Sequence, residues 1–473
     1  MTDAQYFEAQ FGVSQGMLRR VLTEAMARGG DFADLYFQHR TALEVAVQDH
    51  SVNRATTSAA LGVGVRVVQA EQTGYAYTES LTEQAMCEAA RTAAVIARGP
   101  AAHPPVALQS RVLPSCYDVG YDWGQVQLAE VMPLLKRVDH LMSGAHPAVR
   151  RVNVGFSCSQ SRVMVVDSAG RVAADSRPLS RLGLSVTMER AGQLQSNAAS
   201  RAGRVGLAFF DDACVQGLVQ QVVERTVVLF DARKPSVGEM PLVLAAGASG
   251  ILLHEAIGHG LEGDSNRIGT SIFSGRCGQR VATPEVTIVD SGLTRDLRGA
   301  INMDCEGVPG QETVLVQAGV LEGYLHDRIS AAHYGVEPTG NGRRQSFRYP
   351  PLPRMRSTFM RSGNHTPEEV IRSVRKGIYA VGFTNGQVRI GPGDYTFYVK
   401  NGYLIEDGRL TAPIKDVNII GNGPESLSRI SMVGNDTQMD QGGYTCGKQG
   451  QRVPVSVGMP TVRVDAVTVG GVV

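Results

Sequence analysis

Residues 241–264 read PLVLA at 241–245, GASG at 247–250 and ILLHEAIGHGLEGD from Ile251 to Asp264. The first five residues favour a strand, the glycines favour a turn, and the apolar run that follows favours a buried helix start. The stretch therefore predicts a strand, a turn and a helix that packs against a sheet. Ionisable residues follow directly after the apolar ones, and if they are buried too, their side chains need hydrogen-bond partners or a metal ion.

The ionisable side chains on this helix have the order H-E-x-x-x-H, formed by His254, Glu255 and His259. Two neutral imidazoles can bind a divalent metal, and the carboxylate beside them can move a proton. One buried histidine alone is usually a core side chain bonded to backbone. The three residues together predict a hydrolytic zinc (Zn²⁺) site with Glu255 as general base and acid.

The spacing of the two histidines constrains the backbone. They are five residues apart, which places them about 140° apart on an ideal helix and not the roughly 40° of an i, i+4 pair. Gly258 and Gly260 flank His259 and permit a change of backbone conformation. We therefore predict that the helix is distorted or ends at Gly258.

A catalytic zinc ion usually has three protein ligands and one water molecule. The residues alone leave the third ligand open. Cys446 lies in a glycine-rich segment close to Lys448, a cation that favours a thiolate. The candidates are Glu262, Asp264, Cys277, Cys305 and Cys446.

The order of predicted elements indicates an α+β protein of three parts. Residues 1–100 and 116–232 each predict a helix, several strands and a second helix, which suggests a duplicated module. Residues 99–115, with four prolines, predict a connection. Residues 237–473 predict a β-rich C-terminal domain that carries the metal-binding helix.

Composition excludes several classes of function. The 473 residues carry 46 Lys and Arg against 45 Asp and Glu, so no global field attracts nucleic acid or an anionic membrane. No apolar stretch is long enough to span a bilayer, and residues 1–20 lack the apolar core of a secretory signal. Seven irregularly spaced cysteines do not resemble a disulfide framework. These features predict a cytoplasmic protein.

Two further segments are candidates for substrate binding. The run Tyr395-Thr-Phe397-Tyr-Val399 follows a turn and is interpreted as a possible sheet edge, to which an extended peptide can add as a strand. Residues 343–361 contain six arginines, and we predict a solvated, proline-shaped loop over the cleft. Arg343 and Arg344 in that loop could bind peptide carboxylates.

The motifs at His254–Asp264, Gly340–Phe347, Thr445–Gln451 and Gly458–Thr461 closely resemble the TldD subunit of the TldD/TldE (PmbA) peptidase family. The likeness extends to Gly62–Arg66 and Thr73–Thr78 and so covers nearly the whole chain. It implies a zinc site of His254, His259 and Cys446, which raises Cys446 above the other candidates. It also implies a homologous TldE-type partner that lacks the motif, and unstructured peptides as substrates.

Two other functions remain open on the sequence alone. The family has carried the name modulator of DNA gyrase, which would make the chain a regulatory binding protein without catalysis. Alternatively, the metal site could cleave another bond, as an amidase does. The intact H-E-x-x-x-H motif favours an enzyme over a regulator.

Overall fold

The structure is a computed structural model that describes residues 5–101, 107–111, 113–118, 120–389 and 391–471. Parts of the predicted connection at 99–115 lie outside these residues. Helices and strands are mixed along the chain, and the C-terminal half is rich in strands. The predicted α+β class is confirmed.

One seven-stranded sheet spans the first half of the chain. Its strands are β1 (Phe32–Gln48), β2 (Ser51–Gln69), β3 (Gln72–Thr78), β4 (Gln109–Ser110), β5 (Val149–Asp167), β6 (Arg171–Arg190) and β7 (Gln193–Gly203). The spatial order is β3-β2-β1-β5-β6-β4, and β7 also pairs with β6. Because β1 pairs directly with β5, the two predicted modules share this sheet.

In the part of the chain that the structure describes, five α-helices accompany this sheet. They are α1 (Tyr6–Phe11), α2 (Gln15–Met26), α3 (Glu83–Ala94), α4 (Leu128–Gly144) and α5 (Asp212–Val227). The apolar faces of α2 and α3 pack on the first three strands, and those of α4 and α5 pack mainly on β5, β6 and β7. Each helix pair therefore closes its own apolar core on part of the sheet. In the described segments, no helix is long and apolar enough to cross a bilayer.

The C-terminal domain contains a ring of strands. The ring strands are β8 (Gly238–Leu244), β15 (Lys376–Arg389), β16 (Asp394–Glu406), β18 (Val417–Asn422) and β24 (Val462–Gly471). Each pairs with two others, and β15 closes the ring by pairing with both β8 and β16. Two outer strands, β17 (Arg409–Ile414) and β19 (Ile430–Val433), pair with β16 and β24.

A second sheet lies beside the ring. Its strands are β9 (Ile288–Ser291), β10 (Glu312–Gln317), β11 (Val320–Leu321), β14 (Ser357–Met360), β20 (Gln438–Met439) and β23 (Ser456–Met459). Two short hairpins complete the strands: β12 (Gly342–Arg343) with β13 (Leu352–Pro353), and β21 (Thr445–Lys448) with β22 (Gln451–Pro454).

The remaining helices are short. They are α6 (Gly250–Ala256), α7 (Gly263–Arg267), α8 (Arg328–Tyr334), α9 (Pro367–Arg372) and α10 (Gly423–Ser428). Helix α6 follows β8, as the opening stretch predicts, and contacts β14 and β23 on one side and β15 and β16 on the other. It therefore lies between the two sheets. Gly250 makes this packing possible, because a Cβ there would come within 2.6 Å of the Gly458 backbone.

Candidate metal centre

Helix α6 ends within the H-E-x-x-x-H motif. The α-helix stops at Ala256, Ile257 leaves helical geometry, and a 3₁₀ turn follows at Gly258–Leu261. The predicted end of the helix at Gly258 is confirmed. The change of conformation brings the two imidazole rings to a centroid separation of 5.1 Å, with their planes 82° apart.

A third side chain comes from a distant part of the chain. The β21–β22 hairpin carries Cys446 to the two histidines, and its Sγ lies 3.4 Å from Nε2 of His259. The potential ligand atoms of His254, His259 and Cys446 all lie within 4.8 Å of one another, and all three residues are buried. The structure thus brings together the three residues that the resemblance implies as ligands.

The donor set suits zinc. Two imidazoles and one thiolate are common zinc ligands, and a set of three protein ligands leaves a position for water. Within the described residues, neither ring nitrogen of His254 has a hydrogen-bond partner, although the residue is only 1% exposed. A buried imidazole normally bonds to something, and a metal ion would satisfy one nitrogen.

The charges around the cluster keep the sulfur ionised. Burial alone would raise the pKa of the Cys446 thiol, but His254 and His259 lower it to about 4. Arg354 donates from Nη2 to the same sulfur at 3.1 Å and to the Cys446 carbonyl at 2.8 Å. A thiolate, the form that binds metal, is therefore favoured here.

Glu262 supports His259 from the other side. Its Oε2 lies 3.0 Å from His259 Nδ1 and accepts a hydrogen bond from Lys448 Nζ at 2.8 Å. Burial would raise the pKa of Glu262, but Lys448 and His259 hold it well below its usual value. An ionised carboxylate at Nδ1 fixes the imidazole orientation and leaves Nε2 facing Cys446.

Glu255 lies at the edge of the cluster. Its side chain is 28% exposed, whereas those of His259 and Glu262 are nearly inaccessible. Its Oε2 lies 3.7 Å from His259 Nε2, on the side that faces Cys446. The carboxylate can therefore reach both the cluster and solvent, as a proton carrier requires.

The other candidate ligands have different environments. Asp264 accepts a hydrogen bond from Lys448 at 2.7 Å, and Glu262 bonds to His259 and Lys448. Cys305 is buried beside Arg177 and Tyr36, and Cys277 is exposed. In the part of the chain that the structure describes, only His254, His259 and Cys446 form a group of potential metal ligands.

The prediction of a free sheet edge at Tyr395 and Phe397 is wrong. Strand β16 pairs with β15 on one side and with β18 on the other along this segment. Both side chains are at most 2% exposed and belong to the apolar core. The alternation of apolar residues in this segment reflects the inward face of a closed ring of strands.

The prediction of a solvated arginine loop at 343–361 is also wrong. The segment forms β12, β13 and β14 and contains four buried arginines, each hydrogen-bonded within the fold. Arg354 donates to Cys446, and Arg356 donates to the Gly340 carbonyl. Arg343 donates to the Pro454 carbonyl at 2.6 Å, and Arg344 pairs with Asp34 at 3.2 Å.

Sequence reasoning missed how Glu262, Lys448 and Arg354 act together. Glu262 is among the candidate ligands, and its position three residues after His259 is the available signal. Its role as a hydrogen-bond partner depends on Lys448, which lies 186 residues away along the chain. The contact of Arg354 with Cys446 spans 92 residues and has no local signature.

A buried cluster of two histidines and a cysteine, with a partly exposed carboxylate beside it, could serve as the donor set of a hydrolytic metal centre. Comparison with known proteins shows the family. Residues 33–97 match PmbA/TldA metallopeptidase domain 1, residues 121–230 match the central domain and residues 237–471 match the C-terminal domain.

The matches to similar proteins cover nearly the full length of this chain. The chain is 38% identical to a metalloprotease TldD homolog of Haemophilus influenzae, over 94% of each chain. It is 36% identical to the TldD homolog of Buchnera aphidicola subsp. Schizaphis graminum, over 94% of this chain and 93% of the relative. It is 26% identical to a zinc metalloprotease TldD homolog of Saccharolobus solfataricus, over 96% of this chain and 100% of the relative.

Solved structures share the fold. A protein described as a modulator of DNA gyrase from Thermotoga maritima gives a TM-score of 0.79 at 19% identity, covering 96% of this chain and 100% of that one. TldE from Thermococcus kodakarensis gives 0.76 at 18% identity, covering 96% and 100%. The chain belongs to the PmbA/TldD metallopeptidase family.

Proposed function

We propose that this metallopeptidase cleaves unstructured peptides with a zinc ion held by His254, His259 and Cys446. The observation that carries the proposal is the convergence of the three ligand atoms within 4.8 Å in a buried site. The name of the Saccharolobus solfataricus relative, a zinc metalloprotease, supports the choice of metal.

Glu255 is the proposed general base and acid. When bound, zinc would supply Lewis-acid polarisation and a water molecule of lowered pKa. Glu255 would take a proton from the attacking water and transfer it to the leaving amine. Glu262 holds the His259 ring by its Nδ1, and Arg354 holds the Cys446 sulfur, so the donor atoms are positioned before substrate arrives.

The test is a Glu255→Gln variant, which keeps the shape of the side chain and removes its basicity. It should bind zinc normally and lose peptidase activity on an unfolded peptide by at least about a hundredfold. Glu285→Gln, at an exposed position in the same domain, is the matched control. Full activity of Glu255→Gln with normal zinc content would refute the role of Glu255.

We also propose a partner subunit and a cellular location. We propose that the chain is the catalytic member of a pair with a TldE-type subunit, because it carries the complete H-E-x-x-x-H motif. Co-purification with such a subunit, followed by a comparison of activity alone and in the pair, tests this. A thiolate ligand persists in a reducing compartment, which supports a cytoplasmic location.

The two competing functions make different predictions. A regulatory binding protein would bind no stoichiometric zinc and would cleave nothing, even with a partner. The solved Thermotoga maritima structure described as a gyrase modulator is 19% identical to this chain and shows the fold alone. An amidase would release ammonia or an acyl group without shortening the chain, which product mass spectrometry distinguishes from peptide cleavage.

A further inference from the structure

A cavity of about 620 Å³ separates the first sheet from the C-terminal domain. Among the described residues, eight arginines and a single carboxylate, that of Glu44, line it. Arg177 pairs with Asp175 and Arg344 pairs with Asp34. In the described parts of the chain, the other six have no carboxylate within ion-pair distance: Arg40, Arg181, Arg204, Arg298, Arg343 and Arg452.

Three of these six arginines are buried. Arg204, Arg298 and Arg343 are at most 7% exposed. Arg204 donates to the Ala300 and Pro178 carbonyls. Arg298 donates to the Tyr444 carbonyl and the Thr445 hydroxyl, and Arg343 donates to the Pro454 and Met355 carbonyls. Their N–H groups are thus partly satisfied by neutral acceptors, and no carboxylate of the described residues forms an ion pair with them.

The arginines also repel one another. Burial, together with the charges of Arg181 and Arg204, lowers the pKa of Arg298 to about 10. Burial, together with Arg356 and Arg354, lowers the pKa of Arg343 well below its usual value. Proteins rarely bury charged side chains without a counter-charge, because desolvation is costly.

We infer that this cavity binds carboxylate groups of the peptide substrate through its unpaired arginines. Guanidinium groups bind carboxylates in a planar, two-bond geometry, and such charge-assisted bonds are stronger than neutral ones. The inference rests on the proposed peptidase function and names the substrate class: peptides with acidic side chains or a free C-terminus beside the cleavage site.

The cavity and the candidate metal centre share the β21–β22 hairpin. Thr445 lines the cavity, and the next residue along the strand is Cys446. Val453, which pairs with Cys446 across the hairpin, lines it as well. The hairpin that supplies Cys446 therefore forms part of the cavity wall.

The size of the cavity favours a peptide over nucleic acid. Its volume lies within the roughly 300–1,000 Å³ of small-ligand sites, which hold a few residues of peptide. A second cavity of about 560 Å³ shares the lining residues Arg181 and Gly443 with the first cavity. It gives room for further residues of the same peptide. The arginines lie inside a cavity, whereas nucleic-acid sites need a basic stripe that follows a backbone.

Binding of a labelled peptide tests the inference apart from catalysis. The full-length Glu255→Gln protein is titrated against an unstructured peptide of roughly ten residues that ends in glutamates with a free C-terminus. A second peptide has an amidated C-terminus, and a third has glutamine in place of each glutamate. Fluorescence anisotropy gives the Kd of each. If the wild-type protein cleaves no peptide, the proposed function is refuted, but the peptide Kd values still test the binding inference.

The variant is Arg181→Gln with Arg452→Gln, since both side chains are exposed and the described residues make no hydrogen bond to either guanidinium. Its matched control is Arg19→Gln with Arg28→Gln, which removes the same charge from exposed positions near the N-terminus. We expect the cavity variant to weaken binding of the acidic peptide by about tenfold and the control to leave it within about twofold.

Each outcome bears on the inference. Weaker binding of the amidated peptide assigns the site to a terminal carboxylate, weaker binding of the glutamine peptide assigns it to side chains, and both support the inference. Equal Kd values for all three peptides, or for variant and control, would overturn it. Tighter, competing binding of a single-stranded oligonucleotide of equal charge would also overturn it and indicate a nucleic-acid site.

Discussion

The Glu262 carboxylate lies 3.0 Å from Nδ1 of His259, and both side chains are buried. Lys448 bonds to the same carboxylate oxygen and to Asp264, so the segment that supplies Cys446 also supplies the cation that keeps Glu262 ionised. This contact couples the two distant segments of the candidate site. It also fixes which nitrogen of His259 faces the cluster.

Removal of the Glu262 charge should weaken metal binding. We expect Glu262→Gln to lower zinc affinity by about ten- to a hundredfold, because partners of ligand histidines commonly contribute that much. Competition with a chromophoric chelator measures it. Glu285→Gln should bind zinc as the wild type does. Unchanged affinity in Glu262→Gln would show that the carboxylate does not orient a ligand.

Cobalt substitution should identify the sulfur ligand. A protein loaded with Co²⁺ should show a sulfur-to-cobalt charge-transfer absorption in the near ultraviolet, since a thiolate binds the ion directly. Cys446→Ser should abolish this absorption, and Cys305→Ser and Cys277→Ser should keep it. Retention of the absorption in Cys446→Ser would show that another cysteine supplies the sulfur ligand.

Gly258 should tolerate no side chain. A Cβ at this position would overlap the sulfur of Met355, which is fully buried, so the 3₁₀ turn that carries His259 would shift. We expect Gly258→Ala to lower zinc affinity by at least about tenfold, and a second change, Met355→Ala, to recover part of it.

Gly217 provides the control for that substitution. It lies in α5, and a Cβ at this position would have no atom within 4 Å, so Gly217→Ala should stabilise the fold by up to about 1 kcal/mol and leave zinc affinity unchanged. If Gly258→Ala bound zinc as tightly as Gly217→Ala, the close packing at Gly258 would have no part in forming the site.

The Cys446 thiol should titrate far below an ordinary thiol. Its pKa of about 4 in the folded protein lies below the ordinary 9.0, so the thiolate stabilises the fold fully above pH 9. That contribution is lost progressively as pH falls towards 4. The thiolate absorbance of zinc-free wild type minus that of Cys446→Ser should change with a midpoint near pH 4, and a midpoint above 8 would contradict the assigned environment.

Local sequence was sufficient for part of the site. The apolar run before His254, the five-residue spacing to His259 and the flanking glycines together predict a buried helix that ends at Gly258, and the structure has this form. These features depend on neighbouring residues and on helix geometry, which a sequence displays directly. The α+β class follows from periodicity for the same reason.

Local sequence does not predict contacts between distant segments. From the residues alone, Cys446 was one of five candidates for the third ligand, and only the resemblance to a family favoured it. Tyr395 and Phe397 have the alternating pattern of any half-buried strand, and the pairing of β16 on both sides is decided by ring closure. Arginine density at 343–361 gave no sign that Arg354 and Arg356 are buried, because their partners are distant in sequence.

Two imidazoles and one thiolate are proposed to hold a single zinc ion. Anomalous diffraction from crystals of the zinc-loaded protein, recorded on both sides of the zinc absorption edge, is the decisive test. We expect one strong peak within bonding distance of His254, His259 and Cys446, and loss of that peak in Cys446→Ser. A peak elsewhere, or one at the histidines with Cys446 unbound, would contradict it.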